Sequence, residues 1–243
     1  MARALLPLKD LVQAKTRLGG LLRPSERRAL AQAMAEDVLA ALADHTDISG
    51  ITLVSDDPGA GLLAQKYGAD CWSEASLGCR GLNPLIQRAS ARLLDSKEQR
   101  LLVMHCDLPL LTGRDISAVL DHQRRLQGLV IACDRQGSGT NLLAFGADSV
   151  PEFCFGLDSC AGHEASAHRA GFAVEILQRS GIATDVDEPA DLQCVMEHLH
   201  SLPGSHTAAL LYNTELGGRI GLALATMAGT ATTVDGINRG LVS

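Results

Sequence analysis

Five groups of polar residues have the types and spacing for chemistry on phosphates. Lys9, Lys15 and Arg17 put three cations into a K-x5-K-x-R stretch, with Gly19-Gly20 behind it. Lysine supplies a point charge and arginine a planar fork for phosphate oxygens, so this spacing suits a loop that closes over a polyphosphate. It is not a Walker loop or a dinucleotide fingerprint, because the chain has no GxxxxGK[ST] and no GxGxxG after a strand. Asp107 follows the apolar run RLLVMH, where a carboxylate is well placed to bind magnesium. Asp185 and Asp187 lie two apart. In extended backbone they face opposite ways, so the sequence leaves open which of them turns into a site. Gly137-Ser138-Gly139-Thr140-Asn141 offers backbone N–H groups and two hydroxyls in a tight turn, a nest for an anion. Gly156 to His163 adds Ser159 and a helix start for a second anion. Each group has an ordinary alternative: a solvated loop, a capping aspartate, a hairpin turn, a core histidine. HExxH metal sites and GxSxG elbows are absent. Taken together the groups read as one site, with cations for a triphosphate, a carboxylate pair for magnesium and a separate pocket for a small anion.

The elements that would position these groups alternate along the chain. Short aliphatic runs predict strands over 3–9, 51–57, 71–72, 100–105, 128–134, 140–145 and 173–177. Between them, helical periodicity covers 25–43, 58–67, 82–94, 113–125, 163–170 and 188–199; in the first, Leu30, Met34, Val38 and Leu42 recur on one face. Such alternation predicts an α/β fold with an open, mostly parallel sheet and helices on both faces. Ligands then bind at the C-terminal ends of the strands, where the polar groups fall. Pro203-Gly204-Ser205 breaks the pattern, giving one domain over 1–202 and a Gly/Ala/Thr-rich extension over 203–243. That extension, with a helix over 217–227, is expected to be dispensable for chemistry.

Composition narrows the classes. The formal charge of −7 and the 3% aromatic content disfavour nucleic-acid grooves and base-stacking platforms. Seven cysteines, an odd number with no CxxC pair, argue for reduced thiols in the cytoplasm rather than for a disulfide framework or a zinc cage. The apolar run at residues 4–8 is too short for a signal peptide or a membrane span. The partners expected are therefore small molecules, with no nucleic acid and no membrane; a homodimer stays open.

A set of motifs occurs in order: P-L-K-x5-A-K-T-R-L (Pro7 to Leu18), L-x-P-S-E-R-R-A-L-A-x-A-M-x-x-D-V-L, G-L-N (Gly81 to Asn83), D-L-P-L-L (Asp107 to Leu111), D-R-x-G-S-G-T-N-x-L (Asp134 to Leu143), F-G-x-D-S-x-x-x-H (Phe155 to His163) and D-V-D-E-P-A-D-L (Asp185 to Leu192). Over residues 3–200 the chain resembles the guanylyltransferases of deazaflavin-coenzyme (F-420) biosynthesis. These activate 2-phospho-L-lactate, phosphoenolpyruvate or 3-phospho-D-glycerate with GTP. The resemblance implies a nucleotidyltransferase fold of the GT-A type and a GTP-dependent transferase releasing pyrophosphate. It implies that Lys15 and Asp107 are catalytic, that Asp107 and Asp187 hold Mg2+, and that Pro7, Lys9, Lys15, Arg17 and Asn83 serve the nucleotide. Thr140, Gly156 and Ser159 match positions that hold the phosphorylated acid. His105-Cys106 and Cys160 depart from the family's usual residues on the acid side. Being polar or small, they tilt the expectation slightly towards 3-phosphoglycerate. Another GT-A nucleotidyltransferase or a sugar transferase is the alternative, although those usually carry GG-rich N-terminal loops.

Overall fold

Leucine-, valine- and isoleucine-rich runs buried on both sides make the centre of a sheet, as parallel strands require. The computed structural model describes residues 1–9, 11, 14–96, 98–202 and 204–238, with side chains to residue 227 in the last helix. Pro203, the break expected before the tail, lies outside the described residues. Seven strands form one sheet: β1 (Ala2–Pro7), β2 (Ile48–Val54), β3 (Asp70–Trp72), β4 (Arg100–Met104), β5 (Leu129–Cys133), β6 (Thr140–Gly146) and β7 (Val174–Leu177), in the order β3-β2-β1-β4-β6-β5-β7. β6 runs antiparallel to β4 and β5, and every other pairing is parallel. The reversed strand matters for the site. Met104 pairs with Leu142 and Cys133 with Thr140, so β6 starts at the edge where β4 and β5 end.

Helices cover both faces, as expected. On one face α1 (Pro24–Ala43), α2 (Ala60–Lys66) and α5 (Gly113–Leu126) bury Val38, Leu39, Leu42, Leu63, Ile116 and Val119 against Leu6, Leu53 and Leu102. On the other, α4 (Leu82–Asp95) and α6 (Ser159–Arg169) pack Leu85, Ile86, Leu93 and Ala167 against Leu5, Val103 and Phe145. α6 begins four residues before the helix expected at His163. Gly162 in its first turn reads as a breaker, but here it lets the helix approach Cys154, whose Cβ would lie 3.1 Å from an added methyl. The single-turn helices α3 (Glu74–Leu77) and α7 (Ser180–Ala183) follow β3 and β7.

The region after residue 202 departs from the expectation of a dispensable extension. α8 (Pro189–Leu199), α9 (His206–Tyr212) and the start of α10 (Leu216–Asn238) form a third core, in which Leu192, Val195, Leu211 and Ile220 meet Leu30 and Met34 of α1. Leu18, Leu21 and Leu22, just after the basic stretch, belong to the same core. Asp37 accepts the backbone N–H groups of His206 (2.5 Å) and Thr207 (3.0 Å), tying α9 to α1. Arg219 of α10 donates to the Leu21 carbonyl at 3.1 Å and pairs with Glu26 at 2.7 Å. The tail is therefore the wall behind the cationic loop. Its small residues hid this, because packing of α9 and α10 depends on partners far away in sequence.

Candidate functional site

Strand ends bring the site together. The chain leaves β1 at Pro7, and Leu8 N–H donates to the Val54 carbonyl at 2.9 Å. Asp57 accepts the Leu11 N–H at 2.8 Å and anchors the loop. Lys15 then adopts a left-handed backbone (φ 57°) before a 3-10 turn, Thr16–Gly20. That conformation is uncommon for a side chain with a Cβ. It directs the ammonium inward, where it pairs with Asp107 and, at 2.8 Å, with Asp187 Oδ1. The Lys15 side chain is only 9% exposed. Burial pushes its pKa down, but the two carboxylates more than offset this and leave it raised. Asp107 shows the mirror image: burial raises its pKa, and Lys15, helped by His105, brings it below the ordinary value. Asp107 Oδ1 is buried and has no hydrogen-bond partner among the described residues. An unpaired anionic oxygen is costly to bury, which marks a position that a ligand or cation completes.

Both aspartates of the D-V-D motif reach this region. Val186, between them, is fully buried, and its N–H donates to the Asp107 carbonyl at 3.3 Å. Asp187 meets Lys15, whereas Asp185 accepts from Asn141 Nδ2 at 3.1 Å. Burial, and then the charge of Asp107, raises the Asp185 pKa. Strict alternation does not hold here because the segment is an irregular connection between α7 and α8 rather than a strand. These oxygens suit a hard divalent cation, although among the described residues no three His, Cys, Asp or Glu side chains group into a metal cage.

A cavity of about 590 Å³ opens over this end of the sheet, lined by Pro7, Lys9, Lys15, His105, Cys106, Asp107 and Asp187, with Leu8, Leu11, Ala14, Leu82 and Glu74 on its other walls. Five of the expected residues, Pro7, Lys9, Lys15, Asp107 and Asp187, thus share one cavity. Arg17 is not among the lining residues; it is 70% exposed and paired with Glu188, the neighbour of Asp187, at 3.1 Å. Asn83 is committed elsewhere: its Nδ2 donates to the Phe155 carbonyl at 3.0 Å and its Oδ1 accepts the Phe155 N–H at 2.8 Å. It clamps the loop that carries Gly156 (φ 135°).

Thr140 and Ser159 come together behind the cavity rather than on its wall. Thr140 N–H donates to Ser159 Oγ at 2.8 Å, and both residues are buried. His163 completes the network. Its Nε2 accepts the Cys154 N–H at 2.9 Å, so the neutral ring carries its proton on Nδ1, which donates to Thr140 Oγ1 at 3.0 Å. Burial pushes the His163 pKa down to about 4, against a raising contribution from the Ser159 backbone and with a smaller lowering one from His105. Each hydroxyl oxygen therefore accepts one hydrogen bond, Thr140 Oγ1 from His163 and Ser159 Oγ from the Thr140 N–H. Phe155 packs edge-on to both His105 (5.4 Å) and His163 (4.8 Å), joining the two halves of the site. The small residue Cys160 does not face the cavity; it is buried in the core with Cys133 and Phe145, so only His105 and Cys106 of the departures from the family lie on its wall.

Comparisons with known proteins place the chain in a family. A family model described as "Guanylyl transferase CofC like" matches residues 2–220. The phosphoenolpyruvate guanylyltransferase of Conexibacter woesei is 38% identical over 214 residues, covering 86% of this chain and 94% of the relative. The 2-phospho-L-lactate guanylyltransferase of Methanothermobacter thermautotrophicus is 31% identical, covering 80% and 84%. Among solved structures, a protein from Desulfovibrio desulfuricans G20 assigned as a nucleotide-diphospho-sugar transferase superposes with a TM-score of 0.74 at 20% identity, covering 90% of this chain and 97% of that one. A CMP:2-keto-3-deoxy-manno-octonic acid synthetase gives 0.56 at 13% identity, covering 82% and 98%. These structures share the fold.

Proposed function

The chain belongs to the CofC-like guanylyl transferase family and is a nucleotidyltransferase; from that premise we propose that it joins GMP from GTP to a small phosphorylated three-carbon acid and releases pyrophosphate. The observation that carries this reading is the Asp107–Lys15–Asp187 constellation inside a cavity of nucleotide size. A phosphate oxygen of the acid attacks the α-phosphorus of GTP, a P–O bond forms, and the bond to the β-phosphate oxygen breaks. The nucleophile is already anionic near neutral pH, so no general base is required. The obstacle is bringing two polyanions together, and Lys9, Lys15 and Arg17 oppose it with positive charge.

Magnesium fits the donor set, because Asp107 Oδ1 is an unpaired buried oxygen beside the Asp187 carboxylate. Mg2+ commonly takes one or two carboxylates and completes its shell with waters and substrate phosphates, so a larger protein cage is not needed. When bound it would supply positive charge to the triphosphate and the leaving pyrophosphate. Lys15 holds Asp107 and Asp187 together, and Asn141 orients Asp185 beside them. The loop at Gly156 would receive the acid, with Thr140 and Ser159 supporting it from behind the cavity wall.

The names of the relatives favour phosphoenolpyruvate as the acid. His105 supports a second reading: its ring lies on the cavity wall with no hydrogen-bond partner among the described residues, ready to meet the free hydroxyl of 3-phosphoglycerate. A site built to bond a hydroxyl rejects analogues without it strongly, whereas one methyl group changes binding by only about 1–3 kcal/mol. Pyrophosphate release from GTP, measured with the three acids separately and in competition, tests both readings. No release with any acid would refute the function. The three kcat/KM values choose the acceptor. A cytoplasmic location is consistent with seven free thiols, and no helix among the described residues is long and apolar enough to cross a membrane.

A further inference from the structure

Glu74 is a carboxylate on the wall of the nucleotide cavity with no task in the chemistry described above. Its backbone is fixed: the chain leaves β3 at Trp72, whose carbonyl accepts the Ser55 N–H at 2.9 Å, and Glu74 N–H donates to Asp56 Oδ1 at 2.9 Å. Its side chain has no hydrogen bond or ion pair among the described residues. A solvated first-turn residue of α3 would explain an exposed glutamate. Glu74 is instead half-buried and shares one cavity with Lys15, Asp107 and Asp187.

Position supplies the next step. β3 lies three strands from β4 in the sheet order, which at the usual spacing puts their ends roughly 14 Å apart. Asp107 follows β4 and Glu74 follows β3, and both side chains border the cavity between them. With the phosphates at the Lys15 and Asp107 end, an extended nucleoside triphosphate places its base near Glu74. Leu8, Leu11 and Leu82 give the cavity aliphatic walls, which suit the two faces of a base.

We propose that Glu74 is the residue that selects guanine, its two carboxylate oxygens accepting the N1–H and the 2-amino group of the base. This rests on the GTP reading above. The match is specific. Guanine is the purine that presents two adjacent donors on that edge, whereas adenine offers an unprotonated N1 that a carboxylate repels. A bidentate base contact is worth about 10- to 100-fold in discrimination.

The test compares wild type, E74Q and E74A with GTP, ITP, ATP and 2′-deoxy-GTP, by initial-rate kinetics with phosphoenolpyruvate and 3-phosphoglycerate and by equilibrium binding without the acid. ITP keeps N1–H and lacks the 2-amino group, so wild type should bind it about 10-fold more weakly than GTP. Both variants should lose roughly 10- to 100-fold on GTP, mainly in KM, and only a few-fold on ITP, so the GTP/ITP ratio collapses. E74Q should improve ATP, because its amide can donate to adenine N1. Thermal midpoints should move little, since the Glu74 side chain has no hydrogen bond or ion pair among the described residues to lose. An unchanged GTP/ITP ratio in the variants overturns the inference. Equal losses on GTP and ITP, together with a vanished preference for GTP over 2′-deoxy-GTP, also overturn it and assign Glu74 to the ribose. If wild type binds GTP over ITP through Glu74 but no acid supports pyrophosphate release, the inference stands and the transfer reading falls.

Discussion

His163 should make this protein lose stability on mild acidification, and the size of the loss can be worked out. The ring is fully buried, and its pKa falls from 6.5 to about 4. Between those values the unfolded chain binds a proton at this residue and the folded chain does not. Stability therefore rises with pH across the window, is fully present above 6.5 and is gone near 4. The full shift corresponds to roughly 3 kcal/mol, and the part lost between pH 7 and pH 5 to about 2 kcal/mol. The groups around the ring are Thr140, Ser159, Cys154 and Phe155, with His105 beyond Phe155, and none of them is a carboxylate that would stabilise an imidazolium. The carboxylates with lowered pKa values, Glu26, Glu36 and Asp107, act in the same direction as pH falls, and Asp185, whose pKa is raised, acts in the opposite one, so the difference between variant and wild type isolates the imidazole. Urea unfolding at pH 5, 6 and 7 measures the slope. In His163→Gln, whose amide oxygen can still accept the Cys154 N–H, the midpoint should be lower at pH 7 and nearly flat across the range. Parallel pH curves for variant and wild type would refute the reasoning, because the slope would then come from other groups.

Asp107→Asn keeps the shape but removes the charge facing Lys15; turnover should fall about 100-fold or more, and activity within a few-fold of wild type would show that the aspartate is structural. Asn83→Ala frees the backbone of Phe155, so KM for the acid should rise several-fold while KM for GTP changes little; the opposite pattern would restore Asn83 to the nucleotide. Leu211→Ala should cost about 2–5 kcal/mol in a denaturant titration, because the side chain is fully buried under the third core, and a loss below 1 kcal/mol would contradict that packing. Truncation after Leu202 should abolish activity together with cooperative unfolding, since it strips the wall behind Leu18 and Leu21; an active truncated enzyme would show that the tail does not position Lys15.

What was legible in the sequence, and what was not, follows from where each residue's energy comes from. The strands and long helices were readable because their apolar periodicity records burial against one face, a local signature of a long-range fact. Asp107 and the D-V-D pair were readable as polar residues closing apolar runs. The state of Lys15 was not. Its stretch reads equally as a phosphate-closing loop or a solvated one, and neither reading pairs the lysine with aspartates. Its pairing depends on two aspartates 92 and 172 residues away and on one left-handed backbone angle. Asn83 has a task hidden for the same reason. Its motif lies among residues expected at the nucleotide, yet its amide is spent on a backbone 72 residues ahead. The reach of the core past residue 202 was hidden differently. Glycine and alanine in α10 weaken the amphipathic signal, but in a helix pressed close to a neighbour small residues are what the contact demands: a methyl on Gly217 would overlap the Leu211 carbonyl. Glu74 combines both difficulties, being one acidic residue in a short helix whose meaning appears only when the order of the strands sets it across a cavity from Lys15. The residues that sequence reasoning misplaces here are therefore those whose partners lie on other strand ends. Sheet order decides those partners, and periodicity along the chain carries no record of it.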